Sequence, residues 1–311
     1  MDTPAPQNNR TWLRNLAILG IGSLLVRMLL PSDKGTTAVL YIFVPFVLAL
    51  VLLRFRKPSP DQRWWQAYTR FTLDATIYML ASSALLWEGF ICVLFFMPIF
   101  YLIVTLTFLS DWLTRRRKQN TRHLSVVFPL VVVIASLEGV TPQTSFDRTE
   151  NVVISRTLPL PAEVLRDNLE RPIDLQQTGS GLLRIFPMPY RVDMDGVYPG
   201  AVHTVHTRYH RWFFANTHEG QMQLEFTEVT PQTVVTQVQS DSTYFSTYLS
   251  LTGTQIHFES LPGNQTNVSL TLSYRRNLDP AWYFGPLQRY AIARMGELLI
   301  EEIVYRAGTL H

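Results

Sequence analysis

The sequence predicts an α-helical membrane domain of about five transmembrane helices joined to an α+β soluble domain with an antiparallel sheet and a long C-terminal helix. Three observations predict it. Up to about Leu137, long apolar runs alternate with short basic loops. Beyond it the chain turns polar and alternates with the two-residue period of strands. The last stretch returns to helical spacing of apolar residues. The 311 residues leave room for about two domains, read as 1–140 and 141–311.

The net charge of +3 is unevenly spread, because the basic residues of the first half cluster between apolar runs. Such clusters act as topology signals, and no nucleic-acid partner is expected. Cys92 is the only cysteine, which excludes an internal disulfide and a cysteine-based metal site.

A bilayer core takes about 20 apolar residues in helix. Trp12–Leu30 is the first expected span, retained and not a cleaved signal, since Met1–Arg10 is polar and no small-residue cleavage site follows. Arg14 and Arg27 lie near its ends, where long stems reach the interface. Pro31–Gly35 turns the chain. Thr37–Leu53, with Pro45 inside, is the second. The apolar stretch Phe71–Leu109 is about two spans long and is divided at Trp87-Glu88-Gly89 into Thr72–Leu86 and Phe90–Leu109. Leu124–Val140, with Pro129, is the fifth and shortest.

Arg54, Arg56, Lys57, Arg63 and Arg70 follow the second span, and Arg115, Arg116, Arg117, Lys118 and Arg122 follow the fourth. Both clusters are expected on the cytoplasmic side with the N-terminus. Five spans then put the C-terminal domain outside, as in a periplasmic domain anchored in a bacterial inner membrane; if Leu124–Val140 does not span, the domain is cytoplasmic instead. Asp74 and Glu88 read as headgroup-level residues at helix ends. The run offers no transport pathway of further intramembrane acids or histidines.

In the second half, Asn151–Leu158 is a strand of β-branched residues. Ala162–Leu169 is a short helix opened by Pro161. An irregular segment follows, with Gly179, Gly181, Pro187 and Pro189. Strands are expected at Val202–Phe214, Gln221–Val229, Val234–Phe245, Thr254–Ser260 and Asn267–Arg275. In the last, Val268, Leu270, Leu272 and Tyr274 face one way and Ser269, Thr271 and Ser273 the other. Asp279 is read as an N-cap before Pro280, Gly285-Pro286 as an interruption, and Leu287–Arg306 as the closing helix. Its apolar stripe is Ile292, Met295, Leu299 and Ile303.

Strand, short helix, curled sheet and long terminal helix make a helix-grip arrangement. From about Thr149 to Val304 the chain resembles the START-like, or SRPBCC, superfamily, which includes polyketide cyclases and lipid-transfer domains. The resemblance rests on Val152-Val153-Ile154-Ser155-Arg156 leading into Leu160-Pro161-Ala162-Glu163-Val164, and on Gly196-Val197-Tyr198-Pro199-Gly200 before a long strand. It rests further on Ser273-Tyr274-Arg275-Arg276 followed by Leu278-Asp279-Pro280-Ala281-Trp282-Tyr283. These are architectural signatures. The resemblance implies an apolar cavity between sheet and helix. Met222, Leu224, Phe226, Val268, Leu270, Tyr274, Met295 and Leu299 are its candidate lining, with an ordinary packed core as the alternative.

Among polar residues, His206, Arg208 and His210 share one strand face, with His203 on the same strand. His206 and His210 are roughly 13 Å apart at about 3.3 Å per residue, too far to share a metal, so no metal site is expected. Tyr244, Tyr248 and Asp241 form a candidate polar cluster. No Gly-x-Ser-x-Gly elbow, phosphate loop or dinucleotide fingerprint occurs, and no cofactor is expected. The leading functional reading is a membrane-tethered binding module for a hydrophobic small molecule or lipid. An assembly subunit docking a partner membrane protein is the second. A cyclase- or hydrolase-like enzyme using His206, His210 or Asp241 is the third.

Overall fold

The computed structural model describes residues 38–55, 63–85, 90–116, 122–171, 188–212 and 215–305. The chain divides into two compact units, Met1–Phe146 and Asp147–His311.

The first unit is helical. A π-helical turn, Val39–Phe43, runs into α1, Val44–Phe55. α2 is Trp64–Leu85, α3 Phe90–Arg116 and α4 Arg122–Ser136. Tyr68 and Thr105 share a 2.8 Å hydroxyl contact, and Thr76 and Tyr101 one of 3.0 Å. These polar pairs tie α2 to α3 without a charge, a kind of link common between helices in lipid. Leu73, Ile77 and Leu80 of α2, Leu102, Leu106 and Leu109 of α3, and Leu130, Val131 and Ile134 of α4 are exposed.

Among the described residues one helical stretch, Val93–Thr114, is both long and apolar enough to cross a membrane, while Val39–Arg54 is apolar but shorter. The five expected spans are therefore not all matched. Trp12–Leu30 lies outside the described residues. The fifth span closes at Ser136 and not Val140, leaving 15 residues, or about 22 Å of helix against a core about 30 Å thick. α2 begins eight residues before the expected span, at Trp64, and takes in Gln66 and Arg70, which lower its apolar character. The dividing turn at Trp87-Glu88-Gly89 lies outside the described residues.

The second unit is one seven-stranded antiparallel sheet, ordered β1-β7-β6-β5-β4-β3-β2. β1 is Thr149–Leu158 and α5 is Ala162–Asp167, continued by a 3₁₀ turn, Asn168–Glu170. β2 is Met188–Asp193, β3 Val202–Trp212 and β4 Ala215–Val229. β5 is Thr233–Asp241, β6 Leu249–Leu261 and β7 Gln265–Arg276. α6 runs Ala281–Leu299 and continues as a π-helix, Ile300–Tyr305. This order, with a terminal helix laid along β1 and β7, fits the helix-grip arrangement.

Alternation along β7 separates two faces. Val268, Leu270, Leu272 and Tyr274 are buried, and opposite them on β6 stand Phe258, Ile256, Thr254 and Leu251. The outer face is wet and satisfied by its own side chains. Ser155 meets Ser269 at 2.9 Å, Gln239 donates to Glu225 at 2.8 Å, and Ser240 donates to Gln223 at 2.9 Å. Such a one-sided sheet needs a cover on one face only. The core lies under α6 and α5, where Leu158, Leu165, Leu169, Leu270, Leu272, Ile300 and Val304 pack together.

Two expectations about α6 change. The helix passes through Pro286 without a break. A proline there forfeits a single bond, to the carbonyl of Trp282, and Trp282 and Pro286 are both exposed, where water can replace it. Asp279 does not cap the helix: the N-cap is Pro280, with no side-chain bond, because the Asp279 carboxylate is engaged by two arginines.

Candidate functional site

α6 covers the β1–β7 side of the sheet, and the inner face of β3, β4 and β5 continues beyond it. Register fixes which side chains share that face. His203 stands opposite Leu224, Val205 opposite Met222, Thr207 opposite Gly220 and Tyr209 opposite His218. Phe226 stands opposite Thr236. These residues alternate with the polar outer-face set by strand parity alone.

One end of this face is walled by the segment after β5. Asp241 Oδ1 accepts the Thr243 amide at 2.8 Å, turning the chain back over β4. The Ser242 amide then donates to the Gln221 carbonyl at 2.9 Å. Gly220 permits this crossing, since a β-carbon there would stand 2.7 Å from Thr243 Cα. The turn lays Tyr244 over the inner face. Its ring stacks on Tyr209 at 4.5 Å and meets Tyr248 edge-on at 5.5 Å, with His218 at 5.8 Å. The Tyr244 and Tyr248 hydroxyls are 3.1 Å apart. Gln288 of α6 donates through Nε2 to the Tyr248 carbonyl at 2.9 Å. A continuous line of contacts thus runs from α6 through Tyr248 and Tyr244 to β3.

His203 stands at the other end of the face. Its ring meets Phe226 edge-on at 4.6 Å, and Nε2 lies 2.8 Å from the Gly196 carbonyl. A carbonyl only accepts, so Nε2 carries the proton. Burial holds the imidazole below its usual range, partly countered by the Gly196 bond and by Asp195. His203 is therefore a neutral, inward residue, distinct from its strand neighbour His206.

The expected lining residues fall into two groups. Phe226, Val268, Leu270 and Leu299 are part of, or packed against, the apolar core. Met222, Leu224 and Met295 are half-buried and stand outside that cluster. Tyr274 is buried, and its hydroxyl donates to Glu150 at 3.1 Å. Burial, with the Glu150 carboxylate beside it, pushes the phenol well above its ordinary range.

Tyr274 borders a charged cluster at the β1 start. Arg276 is 1% exposed and Asp279 0%. Arg276 Nη1 donates to Asp279 at 3.1 Å and to the Leu278 carbonyl at 3.0 Å, and Nη2 to the Asp147 carbonyl at 3.1 Å. Arg148 bonds the other oxygen of Asp279. Arg289 reaches Glu150 at 2.9 Å. The cluster staples the start of β1, the end of β7 and the first turns of α6.

Of the polar candidates, Tyr244 and Tyr248 meet through their hydroxyls beside the Asp241 turn, whereas His206 is not brought to them. His206 is on the outer face, 2.8 Å from Asp193, and bonds from His206 and Arg191 hold the Asp193 carboxyl below the usual range. The His210 side chain lies outside the described residues. Asp241 serves its turn, and Tyr244 belongs to the inner wall. Among the described residues no three His, Cys, Asp or Glu side chains group as a metal site.

No protein-family model matches the chain, and no curated protein is similar to it. Several solved structures are similar over about half of it. A START superfamily protein from Mycobacterium smegmatis matches with a TM-score of 0.35 and 12% identity, over 52% of this chain and 99% of its own. The Zhui aromatase/cyclase from Streptomyces sp. R1128 matches at 0.29 and 13%, over 49% and 92%. A norcoclaurine synthase point mutant from Thalictrum flavum matches at 0.29 and 14%, over 50% and 97%.

Sequence reasoning did not select His203, Thr207, Tyr209 or Gln288. Parity would have found the first three, since odd-numbered residues of β3 oppose the polar face of His206 and Arg208. Gln288 carried no signal, because the helix was expected to start beside it.

Proposed function

We propose that this chain is a membrane-tethered binding module for a hydrophobic small molecule or lipid. The observation that carries the reading is that Met222 and Leu224 on the inner face of β4, and Met295 on α6, are half-buried and left outside the packed core, with His203 opposite Leu224 and Tyr209 of the tyrosine wall farther along the same face. Apolar lining with a few placed polar groups is the usual make-up of a small-molecule site. Tethering is supported by the outward leucines, valines and isoleucines of α2, α3 and α4, which suit lipid contact. The arginine-rich stretches around Arg56 and Arg116 favour a cytoplasmic N-terminus and an extracytoplasmic C-terminal unit. A tether holds the module beside the bilayer that supplies its ligand, which raises effective concentration.

Photolabelling of the full-length protein in its native membrane with a diazirine-bearing lipid tests the reading. Labelled peptides should include β3 and β4, around Val205 and Met222. Labelling confined to the helical unit would overturn it.

A second reading, an assembly subunit docking a partner membrane protein, is favoured by Trp282 and Tyr290, both 55% exposed on the outward side of α6. Cross-linking from these two positions in the membrane separates the readings.

A further inference from the structure

Among the described residues, Gln288 is the one side chain of α6 that joins the helix to the tyrosine wall by a hydrogen bond and leaves an unsatisfied buried atom there. It is 9% exposed and lies on the buried line of α6 with Phe284, Gly285 and Gly296. Its Nε2 faces the Tyr248 carbonyl at 2.9 Å. A carbonyl offers no proton, so the amide orientation is fixed and Oε1 points away from Tyr248. That oxygen is buried and makes no hydrogen bond.

We propose that Gln288 Oε1 is the polar recognition group of the inner-face site, and that the ligand class is a long apolar molecule ending in a neutral hydroxyl. The inference rests on the binding-module reading. An acceptor oxygen selects a donor, so a carboxylate or phosphate terminus is disfavoured. The one carboxylate named along the wall, Asp241, already holds the Thr243 amide, and the other groups there are an amide, tyrosines and a histidine, so the donor is taken to be uncharged. The half-buried Met222, Leu224 and Met295 suit an apolar body, and the flexible methionines adapt to its shape. The hydroxyl would satisfy Oε1, which otherwise stays desolvated at a cost.

The test uses the full-length protein in nanodiscs and two matched probes, a diazirine-bearing hexadecanol and its methyl ether. Labelling of peptides from the second unit is quantified for each. The alcohol should label about fivefold more than the ether, the ratio expected for one net hydrogen bond. Gln288→Met should bring the ratio to about one while ether labelling persists. Gln288→Glu, which keeps acceptor oxygens, should hold the ratio well above one. If Gln288→Met fails to fold, the wild-type and Q288E ratios decide. Equal labelling by both probes in the wild type overturns the Gln288 inference and leaves the binding reading standing. No labelling of the second unit by either probe overturns both.

Discussion

Gly296 of α6 faces Ile154 of β1 so closely that a β-carbon at Gly296 would overlap Ile154 Cδ1 and stand 3.2 Å from Leu272 Cδ1. This is the point where the helix is seated on the sheet. Gly296→Val should destabilise the second unit by about 2–3 kcal/mol, the range for overpacking a filled core. Thermal unfolding followed by circular dichroism on the detergent-solubilised protein checks it. An unchanged melting temperature would mean the helix is not seated there.

Asp279 is fully buried between Arg276 and Arg148. Asp279→Ala removes the carboxylate that both arginines share, leaving buried Arg276 only the more distant Glu150 at 4.0 Å, and should cost about 3 kcal/mol. Arg294→Ala breaks an exposed pair with Glu297 and should cost under about 1 kcal/mol. Urea titration of both variants reads the contrast, and equal midpoints would contradict the buried role of Asp279.

His203 gives the second unit an acid sensitivity. Its folded value lies below the ordinary 6.5, so below that pH the unfolded chain binds the proton more readily. The stability His203 contributes is present above about pH 6.5 and is lost as pH falls toward the folded value. His203→Gln keeps an N–H donor for Gly196 and removes the titration. Melting temperature measured from pH 7.5 down to 5.5 should fall less steeply in this variant than in the wild type. Parallel curves would mean that His203 is already protonated in the folded state or solvated.

Topology is open to chemical labelling. In a Cys92→Ala background, Asn264→Cys lies in the exposed β6–β7 turn, and Asn120→Cys in a basic stretch expected inside. An impermeant maleimide applied to intact cells should modify the first and spare the second. The reverse pattern would place the second unit in the cytoplasm.

Legibility followed the physics of each element. β7 and β1 were readable because alternation of Val268 to Tyr274 and the β-branched run from Val152 are local signals. β2 was not, because Pro187 and Pro189 mask a strand that exists through pairing with β3, as in Val192 opposite Val205. The expected strand to Phe245 stops at Asp241, where the carboxylate bends the chain into the turn that delivers Tyr244. The closing helix begins six residues before the expected Leu287, since Pro286 costs little where its missing partner faces water. The proposed site draws on both kinds of signal. The half-burial of Met222, Leu224 and Met295 matches their inward places in the strand and helix patterns, whereas Gln288 depends on a contact with Tyr248 that only the folded chain creates. The first unit was the least legible, because apolar length alone does not divide a continuous run into helices.

Thr149 at the start of the sheet pairs with Arg275 near its end. The ribosome therefore releases β1 on the order of a hundred residues before its neighbour exists, which is about 5–20 s at about 5–20 residues per second. Through that interval the nascent strand waits with an unpaired edge and an uncovered apolar face. The protein's biogenesis is thus most exposed to aggregation or chaperone capture before the last hairpin emerges, and truncations that remove β7 and α6 leave that state permanent.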